Sequence, residues 1–306
     1  MIIPNKLKKG DMIGVVAPSN PIVDENVTEV KKATNIIEEL GFKVMYARNL
    51  FSNTNGYSAT AEEKAEDIND MFADKDVKMI WCAKGGENSN SVFDYLNYDI
   101  IKQNPKILCG YSDITSITNI ITAKTGLVTF SGTNFKTIAT DETDYSLKEA
   151  LKRFVDGNLK LGTIEDKYIT IRSGEAEGQL IGGNLSLIKN LVAGKYAIDF
   201  SGKILFLEEL GFETGPALVS NYLYYMKQNG IFDQIKGIWV GNYTHESGVS
   251  LEDIVLDTIK DEYRFPIIKS ETFGHIEKKT VIPIGIKAHI CTSEDRKIKL
   301  IEDCVK

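Results

Sequence analysis

Five short, almost unbroken apolar runs in the first 132 residues constrain this chain most. They are "MIGVVA" (12–17), "KVMYA" (43–47), "VKMIWCA" (77–83), "KILCG" (106–110) and "LVTFSG" (127–132). A strand with one face in water alternates apolar and polar residues, whereas a strand covered on both faces does not need to. Between the runs, apolar residues recur at helical spacing. Val27, Val30, Ala33, Ile36, Ile37 and Leu40 predict a helix over 25–40 that Gly41 stops. Thr60 is placed to cap a helix beginning "AEEKAEDINDMF", with acids in its first turn. Further helices are expected at about 89–96 and 114–124. Strand and helix in alternation imply a mostly parallel sheet with flanking helices, of Rossmann-like or flavodoxin-like α/β type. In such sheets ligands sit beyond the carboxyl ends of the strands. The loops after residues 17, 83 and 110 are therefore the places to look for chemistry.

The pattern changes after about residue 145. "SLKEALKRFVDG" reads as a helix, and "NLKLGTIEDKYITIRSGEAEG" as a linker with short strands. Helices at about 185–193, 216–229 and 250–262 then mix with strands at 203–207, 237–241, 287–292 and 297–302. The expected division is 1–160 and 161–306, the second part a mixed α/β domain. At 42% hydrophobic residues the chain can build a sizeable core. A net charge of −7 with scattered lysines argues against a nucleic-acid partner. No window approaches the roughly 20 apolar residues of a membrane span. The apolar stretch near the N-terminus meets Pro18 too soon for a signal-peptide core, so an intracellular chain with reduced thiols is expected. None of the four cysteines forms a CxxC pair, and Cys82 and Cys109 read as small buried hydrophobes. No HExxH or other metal spacing occurs, so no metal is expected.

Four features carry possible chemistry. In "KILCGYSDIT" (106–115) a strand runs through Gly110 into a helix, and a serine at such a turn projects its hydroxyl over the strand ends. The amide of Asp113 then lies at a helix N-terminus, where developing negative charge is favoured. These are parts of a nucleophile elbow, but G-x-S-x-G would need glycine at 114, which is Ile114. On the local residues alone, Ser112 reads first as a plain helix cap, with Asp113 as a first-turn acid. "AKGGENSN" (83–90) offers Gly85 and Gly86 for close backbone approach, Asn88 and Asn90 to orient a ligand, and Ser89 as a cap. It matches neither GxGxxG nor a Walker sequence, and a plain glycine turn is the bland alternative. Of the three histidines, His289 looks like a strand residue, while His245 and His275 lie in loops. "KILFLEELG" (203–211) ends a strand in Glu208 and Glu209, either solvated acids or a carboxylate placed to orient an imidazole.

The order and spacing of several blocks resemble the LD-carboxypeptidase family of serine peptidases, over nearly the whole chain. The blocks are "KKGDMIGVVAPS", "KGGENSN", "NPKILCGYSDIT", "AKTGLVTFSG", "EGQLIGGNLSLI", "GKILFLEELG" and "FGHIEKKTVIPIG". The resemblance implies Ser112 as nucleophile, His275 as base and Glu208, rather than Glu209, as its carboxylate partner. It implies an oxyanion hole from the amides of Gly86 and Asp113, and substrate contacts from Gly85, Asn88 and Asn184. It implies a cytoplasmic homodimer without cofactor. Its substrate would be a small peptide, a murein tetrapeptide losing D-alanine; the alternative is the aminoacyl- or peptidyl-nucleotide amide cleaved by the family's microcin C immunity (MccF-like) branch. The G-G-x-N-S-N loop leans toward that branch. The short, Trp-free region before "EGQLIGGN" departs from it, because Trp81 and Trp239 lie in apolar strands instead. A Ser–Lys dyad through Lys84 is a minor mechanistic alternative.

Overall fold

The computed structural model describes residues 1–162 and 167–306; the middle of the expected linker lies outside the described residues. The five apolar runs form strands β1 (Met12–Val16), β2 (Lys43–Tyr46), β3 (Val77–Cys82), β4 (Ile107–Gly110) and β5 (Thr129–Ser131). They pair in parallel in the order β5-β4-β3-β1-β2. Nearly every residue of β1, β3 and β4 is buried, whereas β2, at the edge, is not. The mostly parallel sheet inferred from the unbroken runs is the one observed.

The remaining strands are β6 (Tyr168–Arg172), β7 (Glu175–Asn184), β8 (Ile204–Glu208), β9 (Gly237–Val240), β10 (Ile267–Ser270), β11 (Ile282–Ile284), β12 (Lys287–Cys291) and β13 (Ile298–Leu300). Among the described residues they form a second, mixed sheet ordered β13-β12-β7-β8-β9-β10-β6, except for β11. β11 crosses to the first sheet and pairs antiparallel with β5. It carries Pro283, which an edge strand tolerates because one side of its ladder is unpaired. The two apolar cores each draw residues from both halves of the chain, so Ile117 packs in one cluster with Leu205, and Trp81 in another with Phe206.

Local signals account for most helices. Thr60 Oγ1 accepts from the Glu63 amide at 3.3 Å while the Glu63 carboxylate accepts from the Thr60 amide, a reciprocal capping box. Not every expected helix forms: no α-helix spans 89–96. Residues Ser89–Val92 form a single 3₁₀ turn, and the α-helix starts later, at Tyr98–Gln103, where Asn97 caps the Ile100 amide. Ser89 does not cap, because its hydroxyl is used elsewhere. The expected 185–193 helix is likewise a short α-turn, Leu185–Ile188, running into 3₁₀.

Strand β7 was not legible as one continuous strand, since Gly178, Gly182 and Gly183 are poor strand formers. Their reason is close approach. A Cβ on Gly182 would lie 1.9 Å from the Phe206 carbonyl oxygen of neighbouring β8, and its φ is +138°. Gly182→Ala should therefore lower unfolding free energy by about 3–5 kcal/mol, combining backbone strain with overpacking. Urea denaturation would check this; a loss under about 1 kcal/mol would show that the two strands separate freely.

Candidate active site

The site lies where β1, β3 and β4 of the first sheet end beside β8 of the second. After β4, Tyr111 is extended and its amide donates to Asn134 Oδ1 at 3.1 Å. Ser112 then adopts φ +63°, a left-handed conformation that costs a non-glycine residue about 1–3 kcal/mol. A 3₁₀ turn, Ser112–Ile114, leads into the helix Thr115–Thr125. This is a strained strand-to-helix turn without its second glycine. A Cβ on Gly110 would come within 2.8 Å of an Ile114 methyl, so the glycine that is present makes room for the isoleucine that replaces the other.

The Ser112 hydroxyl caps nothing. Its Oγ is 3.0 Å from His275 Nε2, and His275 Nδ1 is 2.7 Å from Glu208 Oε2. Glu208 ends buried β8, and Gly274, at φ +120°, lies close enough that a Cβ there would be 3.2 Å from the same carboxylate oxygen. Glu209 points elsewhere, accepting from Asn184 Nδ2 (2.9 Å) and the amides of Ser186 and Leu210 (both 2.8 Å). Burial alone would push His275 down. The charge and hydrogen bond of Glu208, with Glu209 behind it, outweigh burial and raise the imidazole above its ordinary value, against Lys279.

The Gly-Gly loop meets the serine closely. A Cβ on Gly85 would be 3.0 Å from Ser112 Cβ, 3.2 Å from its Oγ and 3.4 Å from the Asp113 amide nitrogen. Gly86 has φ +152°, and a Cβ there would strike Asn20 and Ser19. Asp113, expected as a first-turn acid, and Ser89, expected as a cap, hold this geometry. Asp113 is fully buried, and its Oδ2 accepts from Ser19 Oγ (2.5 Å) and the Ser89 amide (2.7 Å). Ser89 Oγ donates back to the Asp113 carbonyl at 2.7 Å. One carboxylate thus ties together the loops after β1, β3 and β4. Asn88 is gripped by buried Lys64, whose ammonium donates to its carbonyl and Oδ1 at 3.1 Å each; burial pulls Lys64 down to about 8. Lys84 donates to Asn26 Oδ1 at 2.8 Å rather than to Ser112. Of the other histidines, His289 pairs with Glu175 across β12 and β7, and His245 bonds Ser247 within its loop.

Sequence reading missed Ser19, Lys64 and the Asp113 carboxylate. "APS" (17–19) was in view but carried no local sign of a partner 94 residues away. The helix that follows Ser112, Thr115–Thr125, is also stitched to the second sheet: Asn119 bonds the Gly182 amide and carbonyl, and the Asn184 amide donates to Thr115 Oγ1. Beside His275 opens a cavity of about 420 Å³, bordered by Tyr111, Ser146, Phe212 and Lys279.

Comparison with known proteins identifies the family. The LD-carboxypeptidase N-terminal domain profile matches residues 13–132, and the C-terminal domain profile matches 177–290. The chain is 34% identical to the "Probable murein peptide carboxypeptidase" of Bacillus subtilis, over 95% of this chain and 92% of that one. It is 28% identical to the microcin C7 self-immunity protein MccF of Escherichia coli, over 93% and 91%. The crystal structure of an MccF-like protein from Bacillus anthracis superposes with a TM-score of 0.89 at 32% identity, covering 99% of this chain and all of the other. With both domain profiles matched and full-length relatives above 30% identity, the chain belongs to the LD-carboxypeptidase family of peptidases.

Proposed function

We propose that this chain is a serine carboxypeptidase that hydrolyses the terminal amide of a murein-type L,D-peptide, using Ser112, His275 and Glu208. The observation that carries the reading is the hydrogen-bond chain from Ser112 Oγ through His275 to Glu208, at 3.0 and 2.7 Å. His275 takes the Ser112 proton as Oγ attacks the scissile carbonyl. The oxyanion is met by the amides of Gly86 and Asp113, and Gly85 leaves room for the substrate carbonyl. His275 then returns the proton to the leaving amine, and water releases the acyl group by the same steps in reverse order. Glu208 holds the imidazole with Nδ1 protonated and Nε2 free to accept. In this reading residues 1–160 supply the nucleophile and 161–306 the acid and base. The enzyme would work without cofactor or metal, as a cytoplasmic homodimer in the recycling of wall peptides.

Incubation with a murein tetrapeptide ending in D-alanine should release D-alanine. No release at micromolar enzyme, with the protein folded, would sink the proposal. A second reading, cleavage of an aminoacyl–nucleotide amide, rests on the "GGENSN" loop and the MccF relative. It is the weaker one. Trp81 and Trp239 are fully buried, with indole N–H groups donating to the Thr133 carbonyl and Ser270 Oγ, so neither offers a face to a base. Cleavage of an aminoacyl-sulfamoyl adenosine in preference to the tetrapeptide would reverse that order.

A further inference from the structure

The cleft holds a cation that the Ser112–His275–Glu208 chain does not use. Lys279 lies four residues past His275, on the segment entering β11, and is 6% exposed. Its amide donates to Ser146 Oγ at 3.2 Å, and that hydroxyl donates to the Glu277 carbonyl, so the backbone is held on both sides. The ammonium stands 4.6 Å from the centroid of the Tyr111 ring. That ring in turn is 5.3 Å from the His275 imidazole. Both Tyr111 and Lys279 border the cavity beside His275.

Two other lysines are as deeply buried, and both have oxygen acceptors. Lys64 donates to Asn88, and Lys106 to the carbonyls of Met71 and Asp74. Among the described residues the Lys279 ammonium has no hydrogen-bond or ion-pair partner; only the Tyr111 face meets it. Three carboxylates lie near without taking it. Asp141 is filled by Thr143 and the Ser146 amide, Glu208 faces His275, and Glu277 is exposed. Burial without an anion pulls the amine down to about 8, against the attraction of Asp141, Glu208 and Glu277. A desolvated ammonium resting on a ring alone is costly, and a ligand anion in the cleft would relieve that cost.

We infer that Lys279 binds the α-carboxylate of the residue that is released, and so makes this site select chain ends. The placement follows from the chemistry, and it rests on the carboxypeptidase reading above. His275 must reach the leaving amine to protonate it, so the released residue lies on the His275 side of Ser112. Its carboxylate carbon is about 2.5 Å from that amine nitrogen, across one Cα. A cation packed on the ring that neighbours His275 is where such a carboxylate would be met. A charge-assisted hydrogen bond there would act on binding more than on bond breaking.

The test compares kcat/KM for a tetrapeptide ending in D-alanine and for the same peptide ending in D-alaninamide. The wild type should prefer the acid by about 100-fold, the scale of one buried charge-assisted contact. Lys279→Met should lower acid turnover by a similar factor, chiefly through KM, and abolish the acid-over-amide preference. Lys279→Arg should recover part of it. Labelling of Ser112 by a fluorophosphonate, within a few-fold of wild type in Lys279→Met, would show that the protein is folded with its serine reactive. If Lys279→Met keeps the acid preference, or loses both substrates equally, the assignment is wrong while the carboxypeptidase reading stands. If the wild type labels but cleaves neither peptide, the carboxypeptidase reading fails first and takes this inference with it.

Discussion

Ser112→Ala is expected to lower kcat/KM by about five to six orders of magnitude, with the fold intact. The hydroxyl is the group 3.0 Å from His275 Nε2, and its removal leaves the imidazole nothing to activate. Alanine has a Cβ like serine, so the left-handed backbone at φ +63° is strained to the same degree in both. The unfolding free energy should therefore move by less than about 1 kcal/mol, the effect of losing one half-buried hydrogen bond. Single-turnover assays against the tetrapeptide, alongside urea denaturation, separate the two effects. A variant retaining more than a hundredth of wild-type activity would remove Ser112 from the chemistry. It would also leave the strain at this residue without a functional explanation.

Glu208→Gln is the second large effect, about three to four orders of magnitude in kcat. Glutamine can keep a contact to His275 Nδ1 but, by presenting its N–H₂ group, it can hold the imidazole in the wrong tautomer. The pH profile distinguishes this role from simple packing. To act as the proposed base His275 must be neutral, and Glu208 is a main cause of its raised value. The acidic limb of kcat/KM should therefore lie above the ordinary histidine value of about 6.5, with activity falling as pH drops through it. In Glu208→Gln the raising influence is largely removed and burial remains, so the limb should move to lower pH. A limb unmoved by the substitution would show that another group sets it. The linked stability has the opposite sense. A raised histidine contributes stability fully present below the unfolded value, and that contribution is lost as pH rises through the folded one. Glu208→Gln should lose this acid-side contribution.

Much of the first sheet was legible because burial on both faces leaves a mark in one dimension. "VKMIWCA" has one charged residue at its start and none afterwards, and six of its seven residues became β3. Caps were legible where the partners are three residues apart, as at Thr60 and Glu63. Ser89 failed for the complementary reason. Its local sequence fits a cap, but a partner 24 residues on, the Asp113 backbone, takes the hydroxyl instead. Strand β7 was hidden because its glycines answer to neighbours, Phe206 and Thr115, that lie far off in the chain.

The chain order of residues by itself determined the parallel sheet, the turn that exposes Ser112, and the family blocks that single out "LEE" and "FGH". The sheet and the turn depend on periodicity and on short-range sterics, which a sequence records directly, whereas the blocks speak only through their resemblance to a family. The residues by themselves left Glu208 and Glu209 open, and only the family resemblance favoured Glu208. In the tertiary structure it is Glu208 that meets His275, the two acids being adjacent and leaving a strand end on different sides. Tertiary structure also decided that Asp113 clamps three loops and that Lys279 faces the cleft with only a ring beside it. Such choices depend on contacts between distant segments. A side chain's charge is written in the sequence, but its desolvation and its partner exist only once those segments have packed.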